Sequence, residues 1–254
     1  MRSLVFSGRC AKEILRDPLN LAFGLGFPAV LLLLLSAIQA NIPVPLFEIE
    51  KLAPGVAVFG LAFMTLFSAT LVSKDRSSDF VHRLYTTPMR ATEFLVGYTL
   101  PMIPISLGQT LFCFLFSMIF GLKFNTGCII AIISSLPVSL LFISLGLLFG
   151  SILNDKQVGG ICGALLTNLS AWLSGTWFDL DLVGGVFRKI AYYLPFVHAV
   201  EMERAVLVGD FSGIFPHLWW VLGYGVGVLA LAVAVFCSPN TYLRGVKLGD
   251  LAQA

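Results

Sequence analysis

Asn20-Leu-Ala-Phe-Gly-Leu-Gly-Phe-Pro-Ala-Val-Leu-Leu-Leu-Leu-Leu-Ser-Ala-Ile-Gln-Ala40 carries no charged side chain. It is as long as an α-helix must be to cross the hydrocarbon core of a bilayer, about 20 residues. The run is too long, and lacks the small-residue cleavage site, for a removable signal peptide, so it reads as a span. Five more stretches match it in length and apolarity: Pro54–Val72, Phe94–Phe120, Cys128–Ser151, Val158–Trp177 and Ile214–Cys237. None contains Asp, Glu, Lys or Arg, which counts against a proton-coupled transporter or an ion pump. The expected fold is an all-α integral membrane protein, one transmembrane domain over residues 1–254 with six helices across the membrane.

Composition agrees. Of 254 residues, 57% are hydrophobic and 12% charged, about half the charge of a soluble domain. An ordinary soluble enzyme, a disordered chain and a nucleic-acid binder are therefore excluded, and a net charge of +2 implies no polyanionic partner. The five cysteines (Cys10, Cys113, Cys128, Cys162, Cys237) include no CxxC, so they read as buried small side chains with no metal site among them. With the N-terminus inside, the inner segments hold eleven basic residues and the outer ones five. The excess places both termini in the cytoplasm and the chain in the cell membrane as a multi-pass protein.

The segments between spans carry the remaining information. Residues 3–17 put Leu4, Cys10, Ala11, Ile14 and Leu15 on one face and Arg9, Lys12, Glu13 and Arg16 on the other, the pattern of a helix lying on the inner leaflet. From Asp75 to Tyr85, Phe80, Val81, Leu84 and Tyr85 share one arc; Asp75, Arg76, Asp79, His82 and Arg83 share the opposite one, and Pro88 stops the helix. Such a short cytoplasmic helix can hold the membrane and offer ion-pairing groups to a soluble partner. The loop Leu153–Gln157, with Asp155 and Lys156, is a second contact point or a tight turn. Outside, residues 178–213 are too charged to span and too apolar for a free loop. They read as two short helices, Val183–Leu194 and Phe196–Val208, with Pro195 opening the second, Gly209 closing it, and Glu201 and Arg204 within pairing distance. This is an external re-entrant hairpin before the last span.

No GxxxxGK[ST], HExxH or GxSxG occurs, so no loop of these types is offered for ATP phosphates, zinc or an acyl nucleophile. Thr65 and Ser68 in the second span, and Thr167 and Asn168 in the fifth, are the polar points nearest a pathway. Side chains of this kind also bond helix to helix.

Two stretches carry a resemblance. Asp75-Arg76 … Arg83-Leu-Tyr-Thr-Thr87-Pro88-Met-Arg90 … Gly97, and Leu194-Pro-Phe … Glu201-x-x-Arg204-Ala205 … Gly209, resemble the type-2 ABC-transporter permease family, the membrane half of many bacterial exporters. The chain departs from that pattern at Ser78-Asp79, where Gly-Thr is common, and at Tyr98, where Lys is common. The resemblance implies a permease subunit that pairs with a second permease subunit, as homodimer or heterodimer, above two ATP-binding subunits. ATP and Mg are then held by the partner ATPase, and this chain, not itself an enzyme, binds no cofactor. Asp75, Arg76, Asp79, His82, Arg83, Leu84, Thr87 and Pro88 become an ATPase-coupling helix with Asp155 and Lys156 beside it, while Pro195, Glu201 and Arg204 belong to an external gate. Exporters of this shape move drugs, lipids or peptides, the reading favoured by the scarcity of polar aromatic rows, or polysaccharide–lipid conjugates. A membrane enzyme, such as a lipid transferase, and a non-transporting assembly factor are the rivals from other classes.

Overall fold

The computed structural model describes residues 2–18, 22–42, 47–78 and 91–236. Every regular element among them is helical. The chain runs α1 (Arg2–Arg16), a π-helical turn (Ala22–Gly26) leading into α2 (Phe27–Asn41), α3 (Ile49–Ser77), α4 (Ala91–Ile119) and α5 (Thr126–Ile152). Then come α6 (Asp155–Val158), a π-helical stretch (Gly159–Leu166), α7 (Thr167–Leu173), α8 (Leu180–Val183), α9 (Gly185–Tyr193), α10 (Pro195–Val208) and α11 (Phe211–Phe236). Five helical stretches are long and apolar enough to cross a membrane: Ala22–Asn41, Ile49–Ser77, Thr92–Ile119, Thr126–Ile152 and Phe211–Phe236. They coincide with five of the six expected spans. The sixth, Val158–Trp177, falls on the continuous helical run Asp155–Leu173, which changes from α to π and back and is not among the five.

α3 is the central helix. Of its most apolar 18-residue stretch 89% is buried within the protein, against 17% for α2 and for α11. Burial on all sides needs a helix that is apolar all round, and the stretch from Leu52 to Val72 supplies one without a charge. Its closest neighbour is α5. At Gly146 a Cβ would overlap Ser68 Oγ and stand 2.5 Å from the Thr65 carbonyl oxygen; at Gly150 it would stand 2.7 Å from the Ala69 carbonyl oxygen. Backbone meets backbone here because two side chains are missing one turn apart, the small-xxx-small geometry of membrane helix pairs. A polar bond crosses the seam: Thr65 Oγ1 donates to the Phe142 carbonyl at 2.9 Å, while Ser68 Oγ donates to the Met64 carbonyl of its own helix at 2.6 Å and stands 3.4 Å from the Ile143 carbonyl.

Helix ends follow local chemistry. Asn125 Oδ1 accepts from the Cys128 amide at 3.0 Å and starts α5, while Asn154 and Gln157 form a reciprocal capping box at the start of α6. Pro195 opens α10, and Gly209, at φ +82°, closes it in the left-handed region that suits glycine. α4 continues unbroken through Pro101 and Pro104.

Three expectations change in the structure. The second span is longer at both ends than Pro54–Val72, so Asp75 and Arg76 are the last turn of α3 and do not open a separate helix; Ser78 is extended. The remainder of the expected cytoplasmic helix lies outside the described residues. The hairpin has three helices, because the paired glycines Gly184 and Gly185, both at positive φ, divide α8 from α9. In α1 the apolar residues split two ways. Phe6, Cys10 and Ile14 are buried, with Phe6 edge-on to Phe94 and Tyr98 of α4, while Leu4, Val5 and Leu15 stay exposed. α1 therefore packs on protein along one side, with Leu4 and Leu15 uncovered beside it and Val5 exposed on the charged face.

Gly146 tests the seam. Gly146→Leu should destabilise the fold by at least about 1–3 kcal/mol, the range for overpacked cores, whereas Gly223→Leu, where a Cβ meets nothing within 4 Å, should change little. Thermal unfolding in detergent compares the two.

Candidate functional site

Two polar clusters stand at the ends of this apolar bundle. The first gathers α1, α3 and α4 around Asp75, which is 2% exposed. Arg9 grips it with both arms, Nη1 to Oδ2 at 2.8 Å and Nη2 to Oδ1 at 2.7 Å. The Tyr98 hydroxyl donates to Oδ2 at 2.9 Å. Arg9 Nη2 also meets Glu13 at 2.9 Å, one turn along α1. A buried carboxylate needs this many donors, because desolvation without them costs several kcal/mol. The interaction is mutual: Asp75 holds the Arg9 guanidinium above its ordinary value, chiefly by hydrogen bonding and against the opposing effect of burial.

Next along α3, Arg76 Nη1 donates to the Gly150 carbonyl at 2.7 Å and lies 3.4 Å from that of Leu153. Ser73 Oγ lies 3.3 Å from Asp155 Oδ1. Together they tie the end of α3 to the turn between α5 and α6. Of the expected coupling residues, Asp75, Arg76 and Asp155 are thus brought to one end of the bundle, with exposed Lys156 following Asp155. Asp79, His82, Arg83, Leu84, Thr87 and Pro88 lie outside the described residues. Arg9 and Tyr98, which complete the cluster, were not among the expected site residues. Their signals were present separately: Arg9 in the charged face of α1, Tyr98 as a departure from the family pattern.

The second cluster belongs to the hairpin. Arg204 and Glu201 meet at 2.8 Å. Arg204 also donates through Nη2 to the Gly175 carbonyl at 3.0 Å and through Nε to that of Lys51 at 3.3 Å. This one guanidinium joins α10 to the turn after α7 and to the first turn of α3. Pro195 is buried at the head of α10. Two residues beyond Glu201, Glu203 is 1% exposed; Ser134 Oγ of α5 donates to its Oε1 at 3.0 Å, and its Oε2 has no partner among the described residues. Burial pushes this carboxyl up to about 8, so at neutral pH it is mainly protonated. A second carboxylate within so apolar a helix was its only trace in the sequence.

The four polar points near an expected pathway do not converge. Thr65 and Ser68 are buried in the α3–α5 seam, Thr167 bonds back to the Gly163 carbonyl, and Asn168 is exposed, donating to the Ala164 carbonyl at 2.7 Å. Cys10, Cys113, Cys128 and Cys162 are free and buried. Among the described residues no three His, Cys, Asp or Glu are grouped to hold a metal ion.

Both clusters are open to test. Arg9→Ala should cost roughly 1–3 kcal/mol by stranding a buried carboxylate, toward the low end because Arg9 is itself 37% exposed. Adding Asp75→Asn should recover part of that loss. At the hairpin, Arg204→Ala should lower the thermal midpoint more than Glu201→Ala, since it also orphans two carbonyls. The charge swap Glu201→Arg with Arg204→Glu should fail to restore it, since glutamate cannot donate to the Lys51 and Gly175 carbonyls. Double-mutant cycles of thermal stability in detergent measure both sets.

A family model described as ABC-2 type transporter matches residues 4–208. Comparison with curated proteins finds no match.

Proposed function

The chain belongs to the ABC-2 type transporter family, and we propose that it is the permease subunit of an exporter, driven from below by ATP-binding subunits that dock around residues 79–88. Membership makes it a multi-pass permease subunit of an ABC transporter, in a family that works with an ATP-binding partner. The finer reading is as follows. The helical run Asp155–Leu173 is the sixth membrane crossing, both termini are cytoplasmic, and the α8–α10 hairpin lies at the outer face of the cell membrane. Two permease subunits, identical or not, stand over two ATPases, and ATP and Mg stay with those partners. The substrate is hydrophobic or amphipathic, such as a drug, lipid or peptide.

The observation that supports this most directly is the knot at the end of α3. A stroke delivered to a segment between helices moves the bundle only if that segment is fixed to it. Here the chain enters residues 79–90 from a turn held by Arg9, Tyr98 and the carbonyls of Gly150 and Leu153. The direction of transport is carried by family resemblance alone. The reading of the substrate rests on the weak polarity of the helices, and a glycolipid is its alternative.

Purified by itself, the chain should hydrolyse no ATP above background. Co-expressed with its ATP-binding subunit, Asp79→Ala with Arg83→Ala should lose either co-purification or ATP-dependent transport while membrane insertion is unchanged. Unchanged co-purification together with unchanged transport would count against residues 79–88 as the docking element.

A further inference from the structure

His198 and His217 face one another across the joint between α10 and α11. Their Nδ1 atoms are 2.8 Å apart, and His198 Nε2 lies 3.0 Å from the Tyr192 carbonyl oxygen at the end of α9. The indole of Trp220 is stacked on the His198 ring, with centroids 5.0 Å apart and planes inclined by 8°. A second bond runs alongside, from the Tyr224 hydroxyl of α11 to the Tyr193 carbonyl.

This geometry assigns the protons. A carbonyl oxygen only accepts, so His198 Nε2 must carry hydrogen. Neutral His198 then presents a lone pair at Nδ1, and the hydrogen in the 2.8 Å gap belongs to His217 Nδ1. One further proton can be taken on His217 Nε2 with every bond kept, and the link between the rings becomes charge-assisted and stronger. A second added proton has only His198 Nδ1 to occupy. Two N–H groups then point at each other between two cations, and the contact becomes repulsive.

We propose that the His198–His217 pair is a proton-operated clasp that fixes the α9–α10 hairpin to α11 while at most one added proton is present and releases it when both rings are cationic. The neighbours set where release falls. Half-burial, together with His217, holds His198 below the ordinary imidazole value, against the Tyr192 carbonyl and Glu201, which favour its charge. Glu201 is the charged group that acts on both rings, and it is already engaged by Arg204. From α9, Arg188 lies over the Tyr192 ring at 5.5 Å and is itself paired with Asp181 at 2.7 Å. Glu203, further along α10, turns to Ser134 of α5 instead. The clasp thus stays shut through neutral pH and opens below the normal histidine range. It goes beyond the transport reading and stands whether or not that reading survives, because it rests on three ring contacts alone.

The test uses the full-length chain in lipid nanodiscs, with His82→Gln so that two rings remain to be observed by nitrogen-15 NMR. The expected result is two separate titration steps, the second more than one pH unit below the first. Amide exchange over residues 186–200, corrected for its intrinsic pH dependence, should rise by up to about tenfold per pH unit as the pH falls from the ordinary histidine range to the second step and level off below it, since opening takes up one proton until the closed pair has gained it too. His217→Gln keeps a neutral donor toward His198 and removes one titrating ring, so its hairpin should stay protected across the same range. Two rings titrating together with one midpoint, or identical exchange profiles in the parent and the His217→Gln chain, would overturn the clasp. Should that variant fail to insert, the titration of the two rings decides by itself.

Discussion

Everything else in the structure is arranged around the contact of α3 with α5, where Gly146 and Gly150 admit the backbone of α3 to within a distance no side chain would allow. In a membrane there is no water to drive apolar helices together, so association comes from close packing and from polar bonds between helices. The seam provides both, with Thr65 donating to the Phe142 carbonyl of the facing helix. A central helix buried on every side follows, and the remaining helices are layered on this pair. The same contact engages the polar residues of the second span: the hydroxyls of Thr65 and Ser68 are both bonded to backbone carbonyls there.

An apolar centre moves the charged groups to the ends, where they act as fasteners. At one end, Asp75 draws Arg9 of α1 and Tyr98 of α4 onto the last turn of α3. A helix that the sequence alone would lay on the lipid is thereby attached to the bundle, with Leu4, Val5 and Leu15 left exposed. At the other end Arg204 joins three separate segments through one planar group. Arginine suits this task, since its five donors have fixed directions and its charge cannot be titrated away. Lysine would provide a charge there without the geometry.

The two ends are held differently. The end bearing Asp75 is held by a bidentate ion pair with Arg9. The hairpin end combines a permanent arginine link with groups that titrate, His198, His217 and the protonated Glu203.

The sequence by itself determined that the chain is helical and crosses a membrane, since about 20 uncharged apolar residues admit few other structures in lipid. It also placed the helix punctuation at Pro195 and Gly209 and the pairing of Glu201 with Arg204, because these depend on residues near one another in the chain. The end of α3 was not legible. Charges at Lys74, Asp75 and Arg76 look like the start of a solvated segment, and it is Arg9 of α1, 66 positions away in sequence, together with Tyr98 of α4, that makes it favourable to bury Asp75. The face of α1 was misjudged for the same reason: periodicity shows that apolar residues cluster, but not whether lipid or protein covers them. Glu203, His198 and His217 likewise acquire their chemistry from neighbours on other helices. Contacts between distant segments depend on how helices pack, and that was decided by the tertiary structure.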